Sequence, residues 1–328
     1  MSEIFGSIDV GTGSVLCLAV EKTTDGKMRE LLNESVITAL GAGTASDPSV
    51  RRKSIERTLK PVIEYVQKLK DVGATSISVV GTSALRKAPN RQEFINEVHD
   101  ATGVEVEVIS GDEEALLTFW GATHGLSNYA GPVVVMDVGG GSSELVFGHP
   151  RVGEDGSPAK PELAVSLPIG SLVLTDRFIT NYPTVPDEMA RLRDGIRAEF
   201  ENTQAQRIIL TTKDVKMSPL MVGVGGSATT LVAMEHEIVP YIPMRVHKAR
   251  VPRDTIQKHI ERLGAMSLEE RYAVPGLPKG RAPVIDAGLS ILHELLGAFG
   301  QEAMTVSDHG LRYGVIVRDV WRSRSAPE

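Results

Sequence analysis

Two short segments of the chain combine an acidic residue with closely spaced glycines, which suits the binding of phosphate together with a metal ion. Residues 9–14 read Asp-Val-Gly-Thr-Gly-Ser and residues 137–142 read Asp-Val-Gly-Gly-Gly-Ser. Glycines in a turn let backbone N–H groups approach an anion, and an aspartate at the preceding strand end can bind a divalent cation. Because five of the six positions agree, the pair indicates an internal repeat in two related domains that face each other.

A third glycine turn, Gly225-Gly226-Ser227, follows the apolar residues 219–222 and opens an apolar helix. Three such turns predict a phosphate-binding cleft between the two domains. The other motifs for this chemistry are absent or incomplete: there is no Gly-x4-Gly-Lys-Ser/Thr sequence. The partial dinucleotide fingerprint at Gly223 has Lys248 where an acidic residue is needed about 20 positions on. A zinc-protease helix is excluded, because His236 and His293 each lack a second histidine at i+4.

Glu114 is an acidic residue that local helix chemistry does not explain. Ser110 and Glu113 have the spacing of a capping box, whereas Glu114 lies about 100° further around the helix. The residues alone leave two interpretations open, compensation of the helix dipole or a catalytic carboxylate. Arg86 is expected in a loop after a buried strand, and it too has two interpretations: a residue that binds phosphoryl oxygens or a charge exposed to solvent.

Basic residues are concentrated in two Pro/Gly-rich loops, residues 239–252 and 274–283. The formal net charge of the chain is −7, which disfavours non-specific nucleic-acid binding as the main activity. A polyanionic ligand therefore requires local basic clusters or a metal. The predicted docking residues are Arg245, Lys248, Arg250, Arg253, Lys279 and Arg281.

Length and composition predict two globular domains. The 328 residues exceed a typical single domain, and 41% hydrophobic with 23% charged residues excludes a disordered chain. No apolar run reaches the roughly 18 residues of a membrane span, and the N-terminus lacks a targeting pattern, so we expect a cytoplasmic protein without a membrane partner. The single cysteine, Cys17, lies in an apolar run and is interpreted as a buried core residue.

The elements that position these residues alternate between strand and helix, which predicts layered α/β domains with mixed sheets. Strands are expected at residues 4–10, 14–21, 76–81, 104–109, 133–138 and 144–148, with a further apolar segment at 34–40. Helices are expected at residues 51–70, 91–101 and 112–124. Pro61 should kink the first of these helices or divide it. Residues 149–162 have the composition of a hairpin loop.

These motifs resemble the Ppx/GppA phosphatases, which comprise exopolyphosphatases and guanosine pentaphosphate phosphohydrolases of the actin-like ATPase superfamily. The chain is similar to their short, two-domain form. This sequence has Gly11-Thr12-Gly13-Ser14 where family members usually have Gly-Ser-Asn-Ser. Because the asparagine is missing, we expect the side-chain contacts of this turn to differ from those of the family, while its backbone N–H groups can still form the anion-binding nest. The matching segments occur in family order and are IDVG (8–11), GTSALR (81–86), ISGDEEA (109–115), MDVGGGSSEL (136–145), GVGGS (223–227) and SDHGLRYG (307–314).

The resemblance implies a role for each matching residue. Glu114 would be the general base and Arg86 would bind phosphoryl groups. Asp9, Asp137 and Glu144 would hold Mg²⁺ or Mn²⁺. The phosphate-binding residues would be Gly11, Thr12, Gly13, Ser14, Gly139, Gly140, Gly141, Ser142, Gly225, Gly226 and Ser227.

The resemblance also implies two actin-like (ribonuclease H-like) domains around an interdomain cleft, with residues 1–128 plus 305–328 in one domain and 129–304 in the other. The implied activity is hydrolysis of terminal phosphoanhydride bonds of inorganic polyphosphate, or of guanosine pentaphosphate, by a homodimer. Alternatives are an actin-like kinase or ATPase, a non-enzymatic alarmone or polyphosphate sensor, and a filament-forming actin relative.

Overall fold

Two mixed β-sheets flanked by helices form the structure, as predicted. It is a computed structural model that describes residues 3–23, 27–44, 47–124, 126, 129–153, 156–201 and 203–325. The first sheet has the order β3-β2-β1-β4-β5, and the second β10-β11-β9-β6-β7-β8. The strands are β1 (Glu3–Val10), β2 (Ser14–Lys22), β3 (Met28–Ile37), β4 (Ser76–Gly81), β5 (Val106–Val108), β6 (Val133–Val138), β7 (Ser143–Gly148), β8 (Pro161–Leu167), β9 (Leu220–Val224), β10 (Arg250–Pro252) and β11 (Ala303–Val306).

Helices connect the strands and cover both sheets. In chain order they are α1 (Arg52–Asp71), α2 (Ser83–Lys87), α3 (Arg91–Thr102), α4 (Gly111–His124), α5 (Ser171–Phe178), α6 (Pro186–Phe200), α7 (Thr203–Asp214), α8 (Gly225–Glu235), α9 (Pro243–Val246), α10 (Arg253–Gly264), α11 (Leu268–Tyr272), α12 (Ile285–Ala298) and α13 (Leu311–Ser325). Within the residues described, no helix is both long and apolar enough to cross a bilayer.

The two copies of the repeated motif occupy equivalent places in the two sheets. In the first copy, β1 and β2 are antiparallel with Val10 opposite Val15; in the second, β6 and β7 are antiparallel with Val138 opposite Ser143. Next to the hairpin, β1 is parallel to β4 and β6 is parallel to β9. The third glycine turn, at the end of β9, therefore corresponds to the start of α2 after β4. The internal repeat is a repeat of structure as well as of sequence.

The C-terminal helix belongs with the first sheet. Tyr313, Ile316 and Val320 of α13 form one apolar cluster with Phe5 and Leu18 of β1 and β2. The preceding strand β11 lies in the second sheet, so the chain crosses between the halves at about residue 307. This packing agrees with the proposal that the C-terminal segment completes the first domain, but the expected boundary at 305 falls inside β11, so the change of domain comes after Val306. Residue 128, the other proposed boundary, lies outside the described residues.

Some sequence expectations need correction. The helix predicted at residues 51–70 runs without interruption through Pro61, so Pro61 does not divide it. The apolar segment at 34–40 is only the end of a strand that begins at Met28, and the strand expected at 104–109 is three residues long. Residues 149–162 do connect two antiparallel strands, β7 and β8. Cys17 is fully buried in the core.

Candidate active site

A single cleft between the two halves collects most of the residues singled out in the sequence. Its cavity measures about 330 Å³. We name its three turns the first (residues 11–14), second (139–142) and third (225–227) glycine loops. The predicted residues that line the cavity are Asp9, Gly11, Thr12, Gly13, Ser14, Glu114, Asp137, Gly139, Gly140, Gly141, Ser142, Glu144, Gly225, Gly226 and Arg281.

The first glycine loop is held through its carbonyl groups by the segment that follows β3. The carbonyl oxygen of Gly13 accepts hydrogen bonds from the amides of Thr38 (3.0 Å) and Ala39 (2.9 Å). The carbonyl oxygen of Thr12 accepts one from the Gly41 amide at 3.0 Å. The amides of Thr12 and Gly13 have no acceptor among the described residues. These N–H groups are therefore available to an anion in the cleft.

The second glycine loop is held in the same way by the N-terminus of α5. The Gly139 carbonyl accepts from the Ser171 amide at 2.8 Å, and the Gly140 carbonyl accepts from Leu172 and Val173 at 3.0 and 3.1 Å. These helix N–H groups would otherwise lack partners within the helix. The amides of Gly140 and Gly141 again have no acceptor in the described part of the chain.

Gly170, which precedes α5, makes this arrangement possible by close approach. A Cβ atom at Gly170 would lie 2.4 Å from the carbonyl carbon of Gly140. Gly170→Ala should displace the second glycine loop, lowering kcat/KM for phosphate release by about 10²-fold and the free energy of unfolding by about 1–3 kcal/mol. Urea unfolding and steady-state kinetics measure the two effects.

The matched control is Gly264→Ala at the end of α10, where a Cβ would meet nothing within 4 Å. We expect this variant to keep wild-type activity and stability. If Gly170→Ala behaves like Gly264→Ala, the second loop does not depend on this contact.

Four carboxylates surround the space between the loops: Glu114 and Glu144 are buried, and Asp9 and Asp137 are partly buried. Burial first, and then the Glu114 carboxylate, raise the pKa of Asp137 to about 7. Burial also raises the pKa values of Asp9 and Glu144, and Glu114 and Asp137 add to both shifts. Thr118 donates to Asp137 at 3.3 Å and Ser166 to Glu144 at 2.8 Å, which only partly offsets this repulsion.

Glu114 is fixed by Arg86. The guanidinium NH1 of Arg86 donates to Glu114 Oε2 at 2.7 Å and to the Ile109 carbonyl at 3.0 Å. Burial raises the pKa of Glu114, and Arg86 acts in the opposite direction. Arg86 itself does not line the cavity. Its position shows a contact with the candidate base, and phosphoryl binding by Arg86 stays a prediction.

The carboxylates fit a divalent cation that is shared with a phosphate. Oδ1 of Asp9 is buried without a hydrogen-bond partner among the described residues. Within the same residues, no three His, Cys, Asp or Glu side chains come close enough to hold an ion by themselves. Mg²⁺ is usually held by one or two carboxylates, with waters and substrate phosphates as the remaining ligands. One or two of the carboxylates of Asp9, Asp137 and Glu144 suit that kind of site, since a cation would relieve their repulsion.

The predicted basic residues fall into three groups. Arg281 lies inside the cleft, where its NH2 is 3.4 Å from Ser14 Oγ and its guanidinium packs on Gly226. Arg253 is partly buried and donates to the His293 carbonyl at 3.1 Å. The others do not line the cavity and are exposed; they are Arg245, Lys248, Arg250 and Lys279.

The third glycine loop contributes less than predicted to the lining. Gly225 lies against Asp137, since a Cβ there would be 2.6 Å from Asp137 Oδ1. Ser227 is buried and does not line the cavity; its hydroxyl packs against Gly288 of α12.

Sequence reasoning missed several residues of the cleft. Tyr241 and Asp308 line it and are hydrogen-bonded to each other, and Arg312 donates to Asp308 at 2.8 Å. Asp308 and Arg312 lie in the segment SDHGLRYG, which matches the family but to which the sequence analysis assigned no function. Tyr241 lies in one of the two Pro/Gly-rich loops, in which only the basic residues were predicted to bind a ligand.

Comparisons with known proteins agree with this geometry. The family profile of the Ppx/GppA phosphatases matches residues 19–323. Exopolyphosphatase 2 of Mycobacterium tuberculosis is 30% identical over 321 residues, covering 94% of this chain and 96% of the relative.

Solved structures of similar proteins superpose over nearly the whole chain. A crystal structure of the Aquifex aeolicus Ppx/GppA family member has a TM-score of 0.78 at 30% identity, covering 99% of this chain and all of that one. An exopolyphosphatase from Cytophaga hutchinsonii shares the fold, with a TM-score of 0.85 at 23% identity over 98% of both chains. The sequence profile, the similar chains and the paired glycine loops lead to one conclusion: the chain belongs to the Ppx/GppA phosphatase family.

Proposed function

We propose that the chain is an exopolyphosphatase that hydrolyses the terminal phosphoanhydride bond of inorganic polyphosphate and releases orthophosphate. Guanosine pentaphosphate, which carries the same kind of bond, is the second proposed substrate. The observation that carries the proposal is the position of Glu114, a buried carboxylate oriented by Arg86 in a cleft between two anion-binding glycine loops. Phosphoryl transfer depends mainly on positioning and charge neutralisation, which these parts provide.

The residues divide the work as follows. The amides of the first and second glycine loops bind phosphoryl oxygens, and Arg281 binds the chain beyond them. Asp9, Asp137 and Glu144 would hold Mg²⁺ or Mn²⁺, which when bound neutralises charge on the phosphate oxygens. Oε2 of Glu114 accepts from Arg86, so Oε1 is the atom that takes the proton from the attacking water. The water oxygen forms a bond to the terminal phosphorus as the bridging P–O bond breaks, and the shortened chain leaves.

The experiment that tests this proposal measures phosphate release under matched magnesium from long polyphosphate, short polyphosphate, guanosine pentaphosphate and ATP. Release from polyphosphate with little from ATP is expected. Release from ATP alone would favour an ATPase or kinase. Tight binding of guanosine pentaphosphate without release would favour a sensor.

The exposed basic residues are proposed to dock long chains. Residues 241 and 243 on one side and 278, 280 and 281 on the other line the cleft, so we expect the exposed cations of the same two loops to lie near its rim. Reversing three charges in Arg245→Glu, Lys248→Glu and Arg250→Glu together should raise KM for long polyphosphate at least about tenfold at low salt. KM for short oligomers should change much less, because these do not reach the rim.

A triple reversal on α1, Lys53→Glu with Lys60→Glu and Lys70→Glu, is the matched control, since these lysines are exposed and do not line the cleft. Equal changes of KM for long and short chains would contradict the docking role.

We also propose that the protein is a cytoplasmic homodimer without nucleic-acid or membrane partners. Light scattering measures the oligomeric state.

A further inference from the structure

Two side chains of α2 face the second glycine loop from the opposite wall of the cleft. Ser83 and Lys87 are four residues apart and therefore share one face of the helix. A Cβ at Gly141 would lie 3.0 Å from Ser83 Oγ, and Lys87 Nζ is 3.5 Å from the Gly141 carbonyl oxygen. One hydroxyl group and one ammonium group of α2 thus approach the second glycine loop, in which the amides of Gly140 and Gly141 have no acceptor among the described residues.

The Ser83 hydroxyl lacks a partner where it lies. Ser83 is 2% exposed and lines the cavity, and its Oγ has no hydrogen-bond partner among the described residues. Leaving a buried hydroxyl unsatisfied costs about 1–3 kcal/mol, which a ligand oxygen in the cleft would remove. Thr12 Oγ1, on the same side of Gly141 as Ser83 Oγ, is buried and unpartnered in the same way among the described residues. Polar hydrogens therefore converge on the space in front of Gly141.

Lys87 supplies a positive charge that no carboxylate neutralises. Arg86 is paired with Glu114 and Arg312 with Asp308, whereas Lys87 has no carboxylate within 4.0 Å in the described part of the chain. Although the residue as a whole is exposed, loss of solvation and then Arg86 lower the pKa of its ammonium, while Glu144 and Glu114 oppose that shift. Lys87 does not line the cavity itself, so its ammonium lies at the edge of the cleft, within electrostatic range of Glu144 and Glu114.

We propose that Ser83 and Lys87 form a clamp that binds the terminal phosphate of the substrate and, after hydrolysis, orthophosphate. The inference rests on the proposed function, because it assigns the chain end to the Glu114 side of the cleft and the rest of the chain to the Arg281 side. A terminal phosphate carries close to two negative charges near neutral pH, more than an internal one. An ammonium without a carboxylate partner among the described residues, at this end of the substrate, selects for that extra charge.

The test is the affinity for inorganic phosphate, measured by calorimetry with magnesium present and without turnover. Lys87→Met should raise the Kd for orthophosphate about tenfold, Ser83→Ala should raise it several-fold, and Lys87→Arg should restore most of the loss. Lys53→Met, which removes an exposed lysine from α1, should leave the Kd unchanged. KM for short polyphosphate should rise with the Kd while kcat stays within a few-fold, because the clamp binds ground state and transition state alike.

The outcomes separate the clamp from the proposed function. Wild-type hydrolysis of polyphosphate together with unchanged phosphate affinity in Lys87→Met and Ser83→Ala would overturn the clamp and leave the function standing. Absence of hydrolysis, with phosphate affinity that still falls in both variants, would overturn the function and support the clamp as an anion site. A wild-type protein that does not bind orthophosphate would overturn the clamp.

Discussion

Replacement of Glu114 by glutamine is expected to lower kcat for polyphosphate hydrolysis by about 10²–10⁴-fold, with little change in KM. The amide has the shape of the carboxylate, and its oxygen can still accept the hydrogen bond from Arg86. It cannot take a proton from water, so only the step that needs a base is lost. Steady-state phosphate release at saturating polyphosphate measures the change in kcat, and a chain-binding assay measures retained affinity.

The neighbouring Glu113 provides the control. Its carboxylate lies 3.5 Å from Arg318, and it does not line the cleft. Glu113→Gln should keep wild-type kcat. Near wild-type turnover in Glu114→Gln would remove Glu114 from the mechanism and leave the buried acid with a purely structural role.

The positions of the first and second glycine loops could be predicted because each depends on a short local pattern. An apolar strand, an aspartate and a glycine turn define a hairpin within about 15 residues, and the repeat of that pattern relates the two sheets. The strand β6 and the helix α4 were located closely for the same reason, since periodicity and turn residues are local signals.

What fixes these loops could not be predicted, because it depends on contacts between distant segments. Backbone amides in residues 38–41 and at the start of α5 donate hydrogen bonds to the carbonyl oxygens of the loops. The sequence of a glycine turn does not indicate which distant segment will provide these donors. The pair Arg86–Glu114 joins two helices 28 residues apart. The inward turn of Ser227 follows from the close approach of α12 at Gly288, a packing effect without a sequence signal.

Asp137→Asn is expected to reduce metal-dependent phosphate release by at least about 100-fold, because a neutral amide is a poor ligand for Mg²⁺ and several kcal/mol of charge stabilisation would be lost. The same substitution should stabilise the metal-free protein above neutral pH. Folding raises the pKa of Asp137 from 3.8 to about 7. The folded state thus binds the proton more tightly, so its stability falls as pH rises between these values. Asparagine has no such proton to lose.

Thermal unfolding at pH 8 with and without magnesium tests both parts of this argument. Without metal, Asp137→Asn should melt at a higher temperature than the wild type, and the difference should shrink towards pH 4. Magnesium should raise the melting temperature of the wild type more than that of the variant, since a ligand stabilises only the state that binds it. Asp112→Asn, which removes an exposed acid from α4, should leave the magnesium effect unchanged. An unchanged magnesium effect in Asp137→Asn would show that the ion is held elsewhere, and the grouping of Asp9, Asp137 and Glu144 around it would be wrong.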